Sequence, residues 1–330
     1  MATVDTRHLT PLEVLEEYRR LFTDVRLWQP FVRAVCSRHG LVPCKQIRVG
    51  IPGTCPAFIV EDRWVVKFFG RLFDGASSYA AEQAAGNAAL TDPRIRTANL
   101  RAWGNLVVEP DDDRWPWPYL VFDYIDSVSV GEVWQDLAAD QKLRIARQMG
   151  EMVRALHQLP LPEQGPFPNS HDPYRQFLAD QRAGCVARHR EWGTLPERLI
   201  DQIEGYLPPT DHLIDRSRPP HLIHADLTGD HLLGRIESGR WQTLALIDFG
   251  DSRTGGFLYE LAALHLDMFH GEKAALGAFL NAYGTPLSSD FPRRALATCL
   301  LHQFNVFWAL PAAILQQATL ESLASALFEF

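Results

Sequence analysis

Two short polar segments, each directly after an apolar run, constrain the fold of this chain more than any other feature of its sequence. Residues 224–231 read His-Ala-Asp-Leu-Thr-Gly-Asp-His, and residues 247–250 read Ile-Asp-Phe-Gly. Short apolar runs bounded by polar residues predict buried strands. Two such strands would bring Asp226 and Asp248, which lie 22 residues apart in the sequence, to one cleft.

A pair of carboxylates delivered in this way suits phosphoryl transfer. One carboxylate orients the attacking hydroxyl and accepts its proton, and a second holds the divalent cation that carries the phosphates. Asp226 has the position for the first role and Asp248 for the second. Either residue alone is more often a solvated Asp at a strand end, but the pair at this spacing indicates a catalytic site. His224 is interpreted as a hydrogen-bonding brace for the first segment.

The order of elements predicts an α+β chain of two lobes. One or two helices are expected over residues 10–40, strands over 46–70, 101–109 and 119–122, and an Ala-rich helix over 77–90. The rest is mainly helical, with helices expected at 137–156, 174–189, 196–206, 257–270, 272–283 and 291–308. We therefore predict a small strand-containing lobe at 1–122, a hinge at 123–131 and a larger helical lobe at 132–330.

The strand-rich part contains candidate nucleotide ligands. Lys67 follows an apolar strand, and its compact ammonium suits phosphate oxygens. Glu82, in the next expected helix, is placed to hold Lys67 by an ion pair. Gly53 and Thr54 lie in the turn that precedes Lys67 at hairpin distance, where a phosphate-covering loop is expected. The glycine pattern of this turn matches no nucleotide fingerprint well.

The expected hinge is the candidate site for the nucleotide base. Phe122, Asp123 and Tyr124 begin the connector, where backbone N–H and C=O groups are expected to lack partners within a sheet. We therefore predict that these groups bind the adenine edge. An ordinary connection between two lobes is the alternative interpretation.

Charge and composition narrow the class of partner. The net charge of −8 and the pI near 5.8 argue against a nucleic acid or an acidic membrane. A small-molecule acceptor, especially a cationic one, fits better, and protein partners are not readable. The five cysteines are scattered, so neither a disulfide framework nor a zinc site is indicated. We find no leader-like start and no apolar run of about 18 residues, so the expected compartment is the cytoplasm.

These residues resemble the aminoglycoside phosphotransferase and choline kinase branch of the protein-kinase-like fold, and within it most resemble hygromycin B phosphotransferases. The matching stretches follow the family's order at 65–70 and the loop before it, 115–121, 192–193, 224–231, 247–249, 264–266, Phe269 and Gly271. The resemblance implies transfer of the γ-phosphate of ATP, with GTP as the alternative, to a hydroxyl of a small polar molecule, assisted by Mg²⁺ or Mn²⁺. In that pattern Asp226 is catalytic, Asp248 binds metal and Lys67 binds phosphate.

Two departures from the family pattern lie in the first polar segment. Ala225 stands where the family usually has Gly, and His231 stands where it has the Asn of the second metal. An amide oxygen suits Mg²⁺, whereas an imidazole nitrogen suits Mn²⁺ or a later metal. Three arrangements stay open: His231 ligates the metal; Asp230 ligates it while His231 braces Asp226; or the second metal site is lost, leaving a weak enzyme or a nucleotide-binding pseudokinase.

Carboxylates near the metal turn are the candidate acceptor ligands. Asp251, Glu260 and Asp267 are available, with Asp251 the best placed and a structural role the other interpretation of Glu260. The acceptor is expected to be an aminoglycoside such as hygromycin B. The alternatives are a small metabolite that is choline-like, an amino alcohol or a sugar, or a nucleotide sensor that transfers nothing. A protein kinase is disfavoured because no Ala-Pro-Glu segment follows Asp248.

Overall fold

The structure, a computed structural model, describes residues 6–51, 53–107, 114–161 and 165–330. The chain divides into two compact units. The first comprises Met1–Leu90 and Thr97–Asp126, and the second comprises Thr91–Arg96 and Ser127–Phe330. The α+β class expected from the sequence is confirmed, because the first unit contains a five-stranded antiparallel sheet and the second unit is mainly helical.

The first unit is an antiparallel sheet with three helices. Its helices are α1 (Leu15–Leu21), α2 (Val25–Arg38) and α3 (Gly75–Ala89). Its strands are β1 (Ile47–Val49), β2 (Ala57–Val60), β3 (Trp64–Phe68), β4 (Leu100–Asn105) and β5 (Pro118–Asp123), in the spatial order β1-β2-β3-β5-β4. Asp24 starts α2, since its carboxylate accepts hydrogen bonds from the backbone N–H groups of Arg26 and Leu27. The strands predicted over 46–70 and the helix over 77–90 are thus confirmed.

An aromatic cluster joins α2 to the sheet. The ring of Trp28 lies 4.8 Å from Phe68, 5.3 Å from Trp117 and 5.8 Å from Phe58, measured between centroids. All four side chains are buried. Burial of a large apolar side chain contributes about 1.5–3 kcal/mol. This packing fixes β3, and with it the position of Lys67 beside Ala57 of β2 and Leu120 of β5.

The second unit is mainly helical. Its helices are α4 (Val130–Val133), α5 (Ala139–His157), α6 (Asp172–Trp192), α7 (Glu197–Ile200), α8 (Ile203–Tyr206), α9 (Phe257–Ala263), α10 (Lys273–Tyr283), α11 (Phe291–Leu300) and α12 (Leu320–Phe328), with a π-helical turn at Leu264–Met268. Its strands are β6 (Val128–Ser129), β7 (His221–Ile223), β8 (Leu232–Glu237), β9 (Arg240–Leu246) and β10 (Arg253–Gly255). They form a three-stranded sheet, β6-β8-β9, and an antiparallel pair, β7-β10.

Several boundaries in the second unit differ from those predicted. The single helix expected over 196–206 is two short helices, α7 and α8. The helix expected over 291–308 stops at Leu300. Residues 108–113, which include the end of the strand expected over 101–109, lie outside the described residues. Across the described ranges, no helix is long and apolar enough to span a membrane.

Candidate active site

Lys67 and Glu82 form a buried ion pair in the first unit. Lys67 Nζ lies 2.6 Å from Glu82 Oε2, and the two side chains are only 11% and 5% exposed. The same ammonium lies 5.4 Å from the ring centroid of Phe69. A buried charge is costly unless it is paired, so Glu82 stabilises and orients the Lys67 ammonium. The pair brings together β3 and α3, as the sequence predicted for these two residues.

The turn between β1 and β2 holds Gly53 and Thr54. Both residues are exposed, and Gly50 at the start of the turn donates its N–H to the carbonyl of Ala57 at 2.8 Å. Pro52, also in this turn, lies outside the described residues. The turn is therefore tied back to β2, the strand that pairs with the Lys67 strand.

Two backbone N–H groups at the start of the expected hinge have partners within the first unit. The N–H of Asp123 donates to Asn99 O at 3.0 Å, and the N–H of Tyr124 donates to Arg63 O at 2.8 Å. The prediction that these two N–H groups lack partners is wrong, because β5 includes both Phe122 and Asp123 and pairs on both edges. The Asp123 carboxylate is also engaged, by a bidentate ion pair with Arg101 at 2.6 Å.

The two polar segments of the second unit follow strands and touch each other. The segment at 224–231 follows β7, and Asp248 comes two residues after the end of β9. The N–H of Ile247 donates to His231 O at 2.9 Å. The strand partner of β7 is β10, which lies beyond Asp248 in the chain. Sheet pairing and this backbone bond together hold Asp226 and Asp248 near one another.

His231 lies between the two carboxylates. Its Nδ1 is 2.7 Å from the backbone oxygen of Asp226 and 3.6 Å from Asp226 Oδ2, while its Nε2 is 3.7 Å from Asp248 Oδ2. A carbonyl oxygen only accepts hydrogen bonds, so Nδ1 carries a proton. In the neutral ring Nε2 then holds the lone pair. His231 therefore braces the Asp226 backbone through one nitrogen and turns the other toward Asp248.

Asp226 is in an unusual electrostatic environment. The pKa of Asp226 is raised to about 7, chiefly by burial; His231 opposes the rise, and the carboxylates of Asp251, Asp248 and Asp267 add to it. A carboxyl group with a pKa near neutrality is suited to general base catalysis at physiological pH. The same set of carboxylates gives this part of the molecule a negative potential.

Glu260 supports the loop that carries Asp226. Its two carboxylate oxygens accept the N–H groups of His224 at 2.6 Å and Ala225 at 3.0 Å, and it lies 3.3 Å from His157 Nε2. Burial alone would raise the pKa of Glu260, but these partners hold it below the usual value. Glu260 is 1% exposed. These contacts agree with the structural interpretation of Glu260, and its role as an acceptor ligand stays a prediction.

Each of the two polar segments contains one residue with a strained backbone. Ala225 has φ = 68° and Asp248 has φ = 65°, in the left-handed region that residues other than glycine rarely adopt. The imidazole of His224 lies 3.0 Å from Ile247 O, and that of His302 lies 3.1 Å from Ala225 O. These buried contacts offset the backbone strain. The bracing role predicted for His224 agrees with this geometry.

Gly229 lets the same loop approach the start of α4. A Cβ at Gly229 would lie 2.8 Å from Gly131 Cα, and one at Gly131 would lie 3.1 Å from the carbonyl carbon of Gly229. Asp267 Oδ1 accepts the N–H of Gly229 at 2.9 Å, so one oxygen of this predicted acceptor ligand is bound to the loop. Asp230 is exposed, and its Oδ1 lies 3.4 Å from Ser129 Oγ.

Asp251 is held by residues that sequence reasoning missed. Gln303 Nε2 donates to Asp251 Oδ1 at 2.8 Å, and Gln303 Oε1 accepts from Arg253 Nη2 at 3.0 Å. The Arg253 guanidinium lies 3.8 Å from the ring centroid of Phe177. No local pattern marks Gln303, because its role depends on where the chain turns after α11. Asp251 thus stays the best placed of the three acceptor candidates.

The residues present suit a metal ion coordinated jointly by the protein and by nucleotide phosphates better than one coordinated by the protein alone. Among the residues with described positions, no group of three or more His, Cys, Asp or Glu side chains could hold a metal ion. Asp248 offers a hard carboxylate oxygen and His231 offers Nε2 at 3.7 Å from it. Two protein donors are typical where phosphate oxygens complete the coordination. A divalent cation held together with a nucleotide is compatible with this donor set.

Sequence comparison assigns the chain to a protein family. The model of the Phosphotransferase enzyme family (APH) matches residues 56–297, which is more than half of the chain. The chain belongs to this family.

Solved structures share the fold at low sequence identity. The GDP and kanamycin complex of APH(2")-IIia has a TM-score of 0.62 and 17% identity, over 82% of this chain and 88% of that one. Spectinomycin phosphotransferase APH(9)-Ia, in complex with ADP and spectinomycin, has a TM-score of 0.55 and 11% identity, over 92% and 98%. A microcompartment-associated aminopropanol kinase has a TM-score of 0.55 and 14% identity, over 90% and 93%.

One relative found by sequence carries the name of a demethylase. Lysine-specific demethylase JMJ21 of Arabidopsis thaliana is 22% identical over an alignment of 245 residues that covers 58% of this chain. The match spans 26% of the length of that relative.

Proposed function

We propose that this protein is a nucleotide-dependent O-phosphotransferase that moves the γ-phosphate of ATP, or of GTP, to a hydroxyl of a small cationic molecule. The observation that carries the proposal is the placement of Asp226 and Asp248 on either side of the His231 imidazole. Membership of the phosphotransferase family supports the reaction type.

Asp226 acts as the base in the proposed reaction. The acceptor oxygen forms a bond to the γ-phosphorus, the bond from that phosphorus to the β–γ bridging oxygen breaks, and the hydroxyl proton passes to the Asp226 carboxylate. The nucleoside diphosphate leaves with the bridging oxygen. A positioned base contributes about 10²–10⁴ in rate. The hydrogen bond from His231 Nδ1 to the Asp226 backbone keeps that carboxylate in place.

Lys67 binds the nucleotide phosphates in this proposal. Its ammonium is fixed by Glu82 at 2.6 Å, so little side-chain entropy is lost when phosphate oxygens arrive. Asp248 and His231 hold the divalent cation, and Gly53 and Thr54 belong to the loop that covers the phosphates. When bound, the cation supplies positive charge that stabilises the transferring phosphoryl group.

A cationic acceptor follows from the charges around Asp226. The carboxylates of Asp248, Asp251 and Asp267 all raise the pKa of Asp226, so negative charge is concentrated around it. Ammonium groups on the acceptor would be attracted to this negative region. The names of three structural neighbours include kanamycin, spectinomycin and aminopropanol. All three are amino compounds with hydroxyl groups, which supports a cationic hydroxyl compound as the acceptor. An aminoglycoside such as hygromycin B and a smaller amino alcohol are the two acceptor types to separate.

The test is a nucleotide-consumption assay on the purified protein. Hygromycin B, other aminoglycosides, choline and simple amino alcohols would each be supplied with ATP or GTP and with Mg²⁺ or Mn²⁺. Mass spectrometry would look for the gain of one phosphate on the acceptor. We expect phosphorylation of a cationic hydroxyl compound.

The outcomes of this assay separate the candidates. Transfer to hygromycin B would support the antibiotic subgroup, and transfer to an amino alcohol alone would remove it while leaving the mechanism intact. Nucleotide binding without transfer to any acceptor, with either metal, would contradict the proposed activity and favour a pseudokinase.

A further inference from the structure

Tyr18 of α1 reaches the turn between β1 and β2, in the first unit. The residue is 2% exposed, and its hydroxyl donates to the backbone oxygen of Thr54 at 2.5 Å. The two residues are 36 positions apart in the sequence, so this bond joins a leading helix to the candidate phosphate loop. Burial raises the pKa of the Tyr18 hydroxyl, which keeps it protonated and able to donate.

The Tyr18 ring packs against the segment that follows Lys67. A Cβ at Gly70 would lie 2.8 Å from Tyr18 Cε2 and 3.2 Å from its hydroxyl oxygen, so the chain passes directly against the ring. Phe22 stacks on the other side with a centroid distance of 5.8 Å, and Phe73 lies at 5.3 Å. The ring therefore has little freedom to move away from Thr54.

The end of the Lys67 strand is also held by an aromatic residue. Trp115 Nε1 donates to Phe69 O at 2.8 Å. Trp115 belongs to the Trp-Pro-Trp-Pro stretch of the sequence, which the catalytic chemistry does not use. Two bulky residues thus fix the backbone on the two sides of the phosphate-binding elements, Tyr18 at the loop and Trp115 after β3.

We propose that Tyr18 is a positioning residue that fixes the loop containing Thr54 in the conformation that receives the nucleotide phosphates. This inference rests on the proposed function of the loop. The hydrogen bond from Gly50 to Ala57 ties the loop to β2, and the Tyr18 hydroxyl adds a bond from α1 to Thr54. A loop that is already ordered loses less conformational entropy when the nucleotide binds. The leading helix is therefore part of the nucleotide-binding apparatus.

The experiment compares nucleotide affinity in Tyr18→Phe and in the unmodified full-length chain. The substitution keeps the ring and removes only the hydroxyl. Calorimetry would give Kd for ATP, GTP and adenosine in the presence of Mg²⁺. Because one net hydrogen bond corresponds to about a fivefold change in an equilibrium constant, we expect Kd for ATP or GTP to rise about fivefold. Kd for adenosine should not change, since adenosine has no phosphates.

Tyr119→Phe is the matched control. Tyr119 is a buried tyrosine of β5 in the same unit, and its hydroxyl contacts Arg38 at 3.1 Å and His39 at 2.9 Å, both in or next to α2 rather than in the loop. The Tyr119→Phe variant should lose as much stability as Tyr18→Phe but should bind ATP as tightly as the unmodified chain. Equal ATP affinity in Tyr18→Phe and the unmodified chain, or an equal loss for adenosine, would overturn the inference alone. No nucleotide binding by the unmodified chain would overturn the proposed function and this inference with it.

If Tyr18→Phe fails to fold, Gly70→Ala gives a second test. The added methyl group would press on the Tyr18 ring at 2.8 Å. We expect the same selective loss of ATP affinity over adenosine affinity. Unchanged ATP affinity in a folded Gly70→Ala protein would again contradict the positioning role.

Discussion

At the scale of single residues, His231 meets two demands with its two ring nitrogens. Nδ1 is committed to the Asp226 backbone, and Nε2 is turned toward Asp248. An asparagine at this position could provide an amide oxygen for a hard cation, but it could not span both contacts in the same way. The choice of residue therefore bears on metal preference as well as on loop order.

His231→Asn should move metal preference toward Mg²⁺. We expect the unmodified chain to turn over faster with Mn²⁺ than with Mg²⁺, because imidazole nitrogen is the softer donor. The ratio of the two rates should fall in the variant by about tenfold, which corresponds to roughly 1.4 kcal/mol. Steady-state rates across a titration of each metal would measure it, with Mn²⁺ binding followed by electron paramagnetic resonance. Equal or faster turnover of the unmodified chain with Mg²⁺ would contradict the hypothesis.

Asp226→Asn should abolish transfer without loss of nucleotide binding. The amide keeps the size of the side chain but cannot accept the acceptor proton, so kcat should fall about 10²–10⁴-fold. Kd for ATP should stay within about twofold. Asp140→Asn is the control, since Asp140 is an exposed residue of α5 paired with Arg144. Turnover of Asp226→Asn at the rate of the control would show that another group is the base.

At the scale of elements, the end of α11 decides how the acceptor side is built. The helix stops at Leu300, and the two residues His302 and Gln303 then reach Ala225 and Asp251 respectively. The sequence has no glycine or proline between Leu300 and Pro311. The helix therefore ends because these side chains and backbone groups find partners elsewhere in the unit, and helical periodicity alone predicts a longer helix.

Gln303→Leu should weaken acceptor binding and leave nucleotide binding unchanged. The variant removes the hydrogen bond that orients the Asp251 carboxylate, so KM for a cationic acceptor should rise about ten- to a hundredfold, in line with loss of a hydrogen bond to a charged group. KM for ATP is the internal reference. Gln303→Glu should also raise this KM, because a carboxylate cannot donate the hydrogen bond that orients Asp251. An unchanged acceptor KM in both variants would remove Asp251 from the acceptor site.

Local sequence predicted the parts of the site that depend on one segment. The Asp226 and Asp248 segments, the β3 lysine and the α3 glutamate were all recognisable from residue type, spacing and apolar runs. The pairing of β7 with β10, the burial of Glu260 and the closed backbone at Asp123 and Tyr124 depend on contacts far apart in the chain. Such contacts leave no periodic trace, which is why the sequence did not predict the partners of these residues.

At the scale of the whole molecule, buried neutral histidines make stability depend on pH. Burial lowers the pKa of His265 and of His302 from 6.5 to about 4. The unfolded chain takes up protons below pH 6.5 that the folded chain takes up only near pH 4. The stabilisation is therefore complete above pH 6.5 and is lost as the pH falls from 6.5 to 4.

Urea unfolding at several pH values would measure this dependence. Each of the two histidines should contribute up to about 1.4 kcal/mol per pH unit to the fall in the free energy of unfolding. His265→Gln removes one titrating group at a site whose Nε2 lies 3.0 Å from Leu327 O. Its free energy of unfolding should be lower at pH 7.5 but should change less between pH 6.5 and 4.5. Parallel curves for the two proteins would contradict the assignment.

The close approach of Gly131 and Gly229 limits how this enzyme family member can be diversified. A Cβ at either position would crowd the backbone of the other, because the loop between Asp226 and His231 packs against Gly131 through Gly229. New substrate range is therefore expected to arise through Arg253 and Gln303, whose contacts surround Asp251. A mutant library restricted to those two positions should yield more active variants with altered acceptor choice than a library of equal size in the loop.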